Sequence, residues 1–217
     1  MIMITEQKLL AELMKSLNRY HRVYLIGCGT CPTTQHTGGK SEVLAMKDEL
    51  EANGKEVTGW MVIPTACDLL TKDALAKNDR DIKAADCILV MSCAFGVQMV
   101  SLYSDKPVYP VLNTQFLGLE ESPGHLMQAC MQCGSCVLGR TACICPWIRC
   151  AKSLLNGPCG GSVGGKCEID PDIPCAWQLI IDRLAALGQL DKLEEIEPIQ
   201  DWSVSVSGGP RKVVIET

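Results

Sequence analysis

Cys130, Cys133 and Cys136 stand in a C-x2-C-x2-C run, followed by Cys143, Cys145-Pro146, Cys150, Cys159, Cys167 and Cys175. One loop with this spacing presents three thiolates to three corners of an iron–sulfur cubane, and a cysteine followed by proline supplies the last ligand in related runs. Zinc sites built from short loops use separated C-x2-C pairs instead, so the triplet favours a [4Fe-4S] cluster. An earlier set, Cys28, Cys31, Cys67 and Cys93, lies scattered among apolar runs. Spacing alone does not say which thiol joins which site.

The stretch around Cys28 and Cys31 first suggests a different chemistry. An apolar run leads into a glycine-rich loop, and Gly39-Lys40-Ser41 opens a helical pattern, as in a phosphate-binding loop. That loop needs a glycine five residues before the Gly-Lys-Ser glycine, so that successive backbone amides close on the phosphates. Thr34 occupies the position, and two thiols occupy a loop that a nucleotide would not need them in. The nucleotide reading fails on spacing, and the cysteines point to metal.

The elements that must hold these thiols alternate. Residues 5–20 place Leu9, Leu10, Leu13, Met14 and Leu17 at helical spacing after a capping Thr5. Strands are then predicted at 22–27, 56–63, 86–91 and 107–112, with helices over 40–53, 69–85 and 95–103 between them. Alternating units of this kind form a parallel sheet with right-handed crossovers, here a small doubly wound α/β domain of Rossmann or flavodoxin-like type. In such a sheet all strand carboxyl ends face one edge, where ligands bind. Cys28, Cys67 and Cys93 each follow a strand, and Cys31 follows Cys28 closely, so four thiols converge there. Cys87 lies inside a strand and reads as a small buried hydrophobe.

Near residue 118 the alternation stops. The expected organisation is a parallel domain over 1–118, an irregular cysteine-rich iron–sulfur domain over 119–190 ending in a helix at 176–187, and an extended partner-docking tail over 191–217. The tail carries Trp202, Val204, Val206, Val213, Val214 and Ile215 with no helical period to bury them. Connections such as NGPCGGSVGGKC are too poor in large apolar side chains to build a core, so metal must supply folding energy there.

Fourteen cysteines with a net charge of -5 bound the function classes. No basic run exists for nucleic-acid phosphates. Thr5, Glu6, Gln7 and Lys8 interrupt the N-terminal apolar stretch, and no apolar run suits a membrane span. The expectation is a cytoplasmic chain whose thiols stay reduced and available to metal. His21, His36 and His125 carry no motif.

The segment CMQCGSCVLGRTACICPWIRCAKSLLNGPCGGSVGGKCEIDPDIPCAWQLIIDRL resembles the cysteine-rich domain at the C-terminus of some methylenetetrahydrofolate reductase proteins. With YLIGCGTCPTTQHTGGK, MSCAFGVQ, LNTQFLG, DWS and GGPR, nearly the whole chain is similar to the small iron–sulfur subunit of the heteromeric reductase of acetogenic bacteria. The resemblance implies electron transfer to a flavin-carrying TIM-barrel partner that reduces methylenetetrahydrofolate, in the methyl branch of the reductive acetyl-CoA pathway. FMN is expected in that partner only, with ferredoxin or a hydride-oxidising subunit as donor. The family usually has glycine where this chain has Cys143, which implies that Cys143 is no ligand. With Cys87 also spare, the other twelve thiols then make three four-cysteine sites for [4Fe-4S] clusters, with zinc as an alternative in one of them. No catalytic residue, flavin site, nucleic-acid surface or membrane contact is expected. Two rival readings are a zinc-bearing scaffold subunit and an enzyme with substrate at an open cluster corner.

Overall fold

A computed structural model describes residues 2–196, 198–205, 209–210 and 213. It divides into two compact units, residues 1–126 and 127–217.

The first unit is α/β. Strands β2 (Arg22–Cys28), β3 (Glu56–Ile63), β4 (Cys87–Met91) and β5 (Val108–Pro110) form a four-stranded sheet in the order β3-β2-β4-β5. Its strand pairs are all parallel. Strand alternation sends successive residues to opposite faces. On one face Val23, Leu25, Cys87, Leu89 and Met91 pack with Leu13 and Leu17 around helix α1 (Leu10–Ser16) and with Val43, Met46 and Leu50 of α3 (Lys40–Ala52). On the other, Tyr24, Ile26, Ile88 and Val90 meet Leu75 of α4 (Leu70–Lys77), Ile82 of α5 (Asp79–Ala84) and Val100 of α6 (Ala94–Leu102). Helices therefore cover both faces. A further one-turn helix, α2 (Cys31–Thr34), lies in the loop after β2.

Two features depart from the pattern expected of the sequence. The expected helix over 5–20 shrinks to α1, and Ile2–Gln7 is a strand, β1. It pairs antiparallel with β6 (Leu112–Ser122), with Met3 opposite Leu117 and Ile4 opposite Phe116. Leu9 is 77% exposed, so the helical stripe needs only Leu13 and Leu17 for burial. The residues before it gain more from a strand partner than from another helical turn. With β7 (His125–Cys130), β6 and β1 form a three-stranded sheet in the order β1-β6-β7. The single helix expected over 69–85 is two, α4 and α5, broken at Asn78, whose side-chain amide donates to the Ala74 carbonyl at 2.9 Å.

The second unit has little regular structure. Helix α7 (Pro146–Arg149) is a single turn, and α8 (Ala176–Ala186) buries Trp177, Ile180 and Leu184 beside Ala142. A 3-10 turn at Leu190–Leu193 follows. Among the described residues no helix is long and apolar enough to cross a membrane.

Candidate functional site

In the parallel sheet the chain order reverses at β2, with β3 on one side and β4 on the other. The carboxyl ends flanking such a switch bound a crevice, because the connections leave toward opposite faces. Cys28 is the last residue of β2, Cys31 opens α2, Cys67 lies in the turn after β3, and Cys93 caps α6 just beyond β4. Burial and then the neighbouring Cys93, Cys28 and Cys31 sulfurs raise the Cys67 thiol above its ordinary value. The Cys93, Cys28 and Cys31 thiols thus lie near enough to Cys67 to act on it. Cys67 is exposed while Cys28 and Cys93 are buried, so the quartet runs from the protein interior to solvent.

The surrounding backbone suits sulfur. The Ala66 amide donates to Cys28 Sγ at 3.5 Å, and Thr30 Oγ1 lies 3.3 Å from the same sulfur. Ser92, next to Cys93, carries a buried hydroxyl without a partner among the described residues. A buried orphan donor costs roughly 1–3 kcal/mol unless something accepts from it, and a metal-bound thiolate or sulfide is such an acceptor. The donor set and its surroundings thus fit an iron–sulfur group held by Cys28, Cys31, Cys67 and Cys93.

Sequence motifs do not reveal what covers this edge. Met3 and Leu117, from β1 and β6, form a buried cluster with Cys93, and Cys31 packs against it. Gln35 donates to the Met3 carbonyl at 2.7 Å and to the Cys31 carbonyl at 2.9 Å, while the Thr5 amide donates back to Gln35 Oε1. Thr114 Oγ1 accepts from the Ala94 amide at 2.8 Å, fixing the start of α6 beside Cys93. Gly39-Lys40-Ser41 is an ordinary helix start: the Gly39 amide donates to the Glu42 carboxylate at 2.8 Å.

In the second unit eight of the nine thiols line two cavities. Cys130, Cys133, Cys136 and Cys145 share one of about 240 Å³, bordered by Trp147 and Trp202. The Gln132 amide donates to Cys130 Sγ at 3.3 Å, with Gln132 held at a φ of 61°. Cys150, Cys159, Cys167 and Cys175 share the other, of about 20 Å³. Gly161 donates its amide to Cys159 Sγ at 3.4 Å; that bond and nearby Lys152 hold the Cys159 thiol below its usual value. Cys143, exposed and at a φ of 63°, lines neither cavity. Cys87 is fully buried among apolar neighbours, where burial and then Asp86 push its thiol up to about 12. Among the described residues no three Cys, His, Asp or Glu side chains are arranged to hold a single metal ion.

Described residues of the tail contact their own unit. Trp202 stacks at a tilt on Trp147, ring centres 4.7 Å apart, and Ser205 is buried. Val204 is partly exposed and Val213 is 85% exposed; Val206, Val214 and Ile215 lie outside the described residues.

No curated protein matches the chain. Among solved structures, a protein from Rhodospirillum rubrum assigned as a branched-chain amino acid ABC transporter aligns at 20% identity and a TM-score of 0.34. The alignment covers 46% of this chain and 28% of that one. Residues 109–203, which include both cavities of the second unit, match the family described as methylene-tetrahydrofolate reductase C terminal, and this segment is related to that family.

Proposed function

We propose that the chain is the iron–sulfur electron-transfer subunit of a methylenetetrahydrofolate reductase. Its flavin-bearing catalytic partner would reduce 5,10-methylenetetrahydrofolate to 5-methyltetrahydrofolate in the reductive acetyl-CoA pathway. The observation that carries this reading is the cavity of about 240 Å³ lined by Cys130, Cys133, Cys136 and Cys145, within the segment related to the reductase C-terminal family. Cys28, Cys31, Cys67 and Cys93 would hold a second group at the sheet edge. When bound, [4Fe-4S] clusters supply one-electron transfer at potentials set by hydrogen bonds and solvent exposure.

The protein's own groups support that role. The Ala66 and Gln132 amides donate to the Cys28 and Cys130 sulfurs, the kind of hydrogen bond that metal-bound thiolates accept. Met3 and Leu117 keep water from Cys93, and Trp147 and Trp202 border the wider cavity of the second unit. Exposed Cys67 offers a route for electrons to or from a neighbouring protein.

The test is reconstitution. The anaerobically purified chain should be brown, reducible by a strong donor and inactive toward methylenetetrahydrofolate by itself. Adding the flavin-bearing subunit should give turnover with ferredoxin or a hydride-oxidising subunit as donor. Turnover by this chain alone, free of flavin, would overturn the electron-carrier reading and favour substrate at an open cluster corner.

A further inference from the structure

We propose that the Ser92 hydroxyl donates a hydrogen bond to the iron–sulfur group at the sheet edge and thereby raises its reduction potential. The inference rests on the reading of Cys28, Cys31, Cys67 and Cys93 as ligands of that group, and adds to them a residue that binds no metal. Ser92 directly follows β4 and precedes Cys93, the N-cap of α6. Ile26 pairs with Val90 and Gly27 with Met91, so one step further along the parallel ladder brings Ser92 abreast of Cys28. Neighbouring strands stand about 4.8 Å apart, and every second residue shares a face. Ile26, Cys28 and Val90 belong to the face that packs with Ala66 and Val100, and Ser92 continues it. The serine therefore has one ligand cysteine across the ladder and another next to it in the chain.

Contacts on that face fix where the hydroxyl lies. A Cβ on Gly96, in the first turn of α6, would collide with Ser92 Oγ and stand 3.0 Å from Ala66 Cβ. Ser92 Oγ is thus tucked under the start of α6, beside the turn whose Ala66 amide donates to Cys28 Sγ at 3.5 Å. The residue is 1% exposed, and its hydroxyl has no partner among the described residues. A buried hydroxyl is destabilising unless something accepts its proton. A cluster sulfide or metal-bound thiolate held by Cys28 and Cys93 is an acceptor within reach.

The consequence is electrostatic. Reduction adds one negative charge to the group, and a hydrogen bond to a charged acceptor is roughly twice as strong as one to a neutral acceptor. Ser92 therefore stabilises the reduced form more than the oxidised form. The positive end of α6, capped by Cys93, acts in the same direction. Loss of the serine bond should weaken the reduction equilibrium about tenfold, which for a one-electron couple is about 59 mV.

The test is a redox titration of the full chain, purified anaerobically with its flavin-bearing partner and followed by electron paramagnetic resonance. The sheet-edge signal is the one that Cys67→Ser removes. In Ser92→Ala that signal should titrate about 59 mV lower, with iron content unchanged. A serine that merely fills space predicts no such shift. An unshifted or raised midpoint with iron intact would overturn the proposal and leave the sheet-edge cluster standing. Where Ser92→Ala loads no iron at this site, the unmutated chain carrying oxygen-17 in its serine hydroxyls decides. Hyperfine coupling of that oxygen to the reduced sheet-edge signal supports the bond, and absence of coupling overturns it. If Cys67→Ser loses neither iron nor a signal, the sheet-edge reading itself fails and takes this inference with it.

Discussion

Gly27 immediately precedes Cys28 on β2, and a methyl group there tests how tightly the sheet edge holds the cysteine loop. A Cβ on Gly27 would stand 2.6 Å from Val43 Cγ2, 2.7 Å from the Gly38 carbonyl oxygen and 3.2 Å from Val62 Cγ2. Relief requires shifts of several tenths of an ångström on two sides, one of them backbone. Val43 sits in the core, and Gly38 accepts the Cys28 amide at 3.0 Å. Overpacking of this kind costs about 1–3 kcal/mol, and a clash with backbone belongs at the upper end. At roughly 4 °C per kcal/mol for a unit of this size, Gly27→Ala should lower the thermal midpoint by about 10 °C. Because the Gly38 loop carries Cys31 on its far side, iron should fall by up to about four atoms per chain. Gly54→Ala is the control: it meets nothing within 4 Å but has a φ of 78°, so it should cost about 1–2 kcal/mol and leave iron unchanged. The assay is thermal unfolding at one fixed scan rate, with iron counted on the same preparations. A Gly27→Ala midpoint within about 2 °C of the parent, less than a quarter of the expected shift, with iron intact, would refute the packing argument.

Other outcomes follow from the same geometry. Cys67→Ser should lower iron by about four atoms per chain; unchanged iron would remove the sheet-edge assignment. Cys87, its thiol raised to about 12, should resist alkylation at pH 8 in the folded protein and react on unfolding, while Cys87→Ala should keep all metal; labelling read by mass spectrometry checks both. Trp202→Ala removes an aromatic pair contributing about 0.5–1.5 kcal/mol and opens the 240 Å³ cavity, so visible absorbance should bleach faster in air. An unchanged bleaching rate with weaker partner co-purification would instead support docking by the tail. A variant lacking the sheet-edge quartet should fail with the physiological donor yet turn over with a dye that reduces flavin directly.

The alternation of apolar runs and helical spacing makes the parallel sheet legible in the amino-acid sequence itself, because strands buried on both faces and amphipathic crossover helices leave strong local patterns. The strand carboxyl ends, and hence the convergence of Cys28, Cys67 and Cys93, follow from that pattern and from the single edge that parallel strands share. The thiol triplet at Cys130, Cys133 and Cys136 is equally plain, since its chemistry lies in spacing within one loop. Pairings across long sequence separations are not legible. Ile2–Gln7 becomes a strand only because β6, more than a hundred residues later, offers it an edge, and that pairing delivers Met3 and Leu117 over the cysteines. Local periodicity carries no record of such a partner. The division of eight thiols into a wide and a narrow cavity is likewise decided by tertiary packing: α8 draws Cys150 and Cys175 to its core and leaves Cys145 with the triplet. Spacing supplies the ligands; the volume they enclose is set by the fold around them.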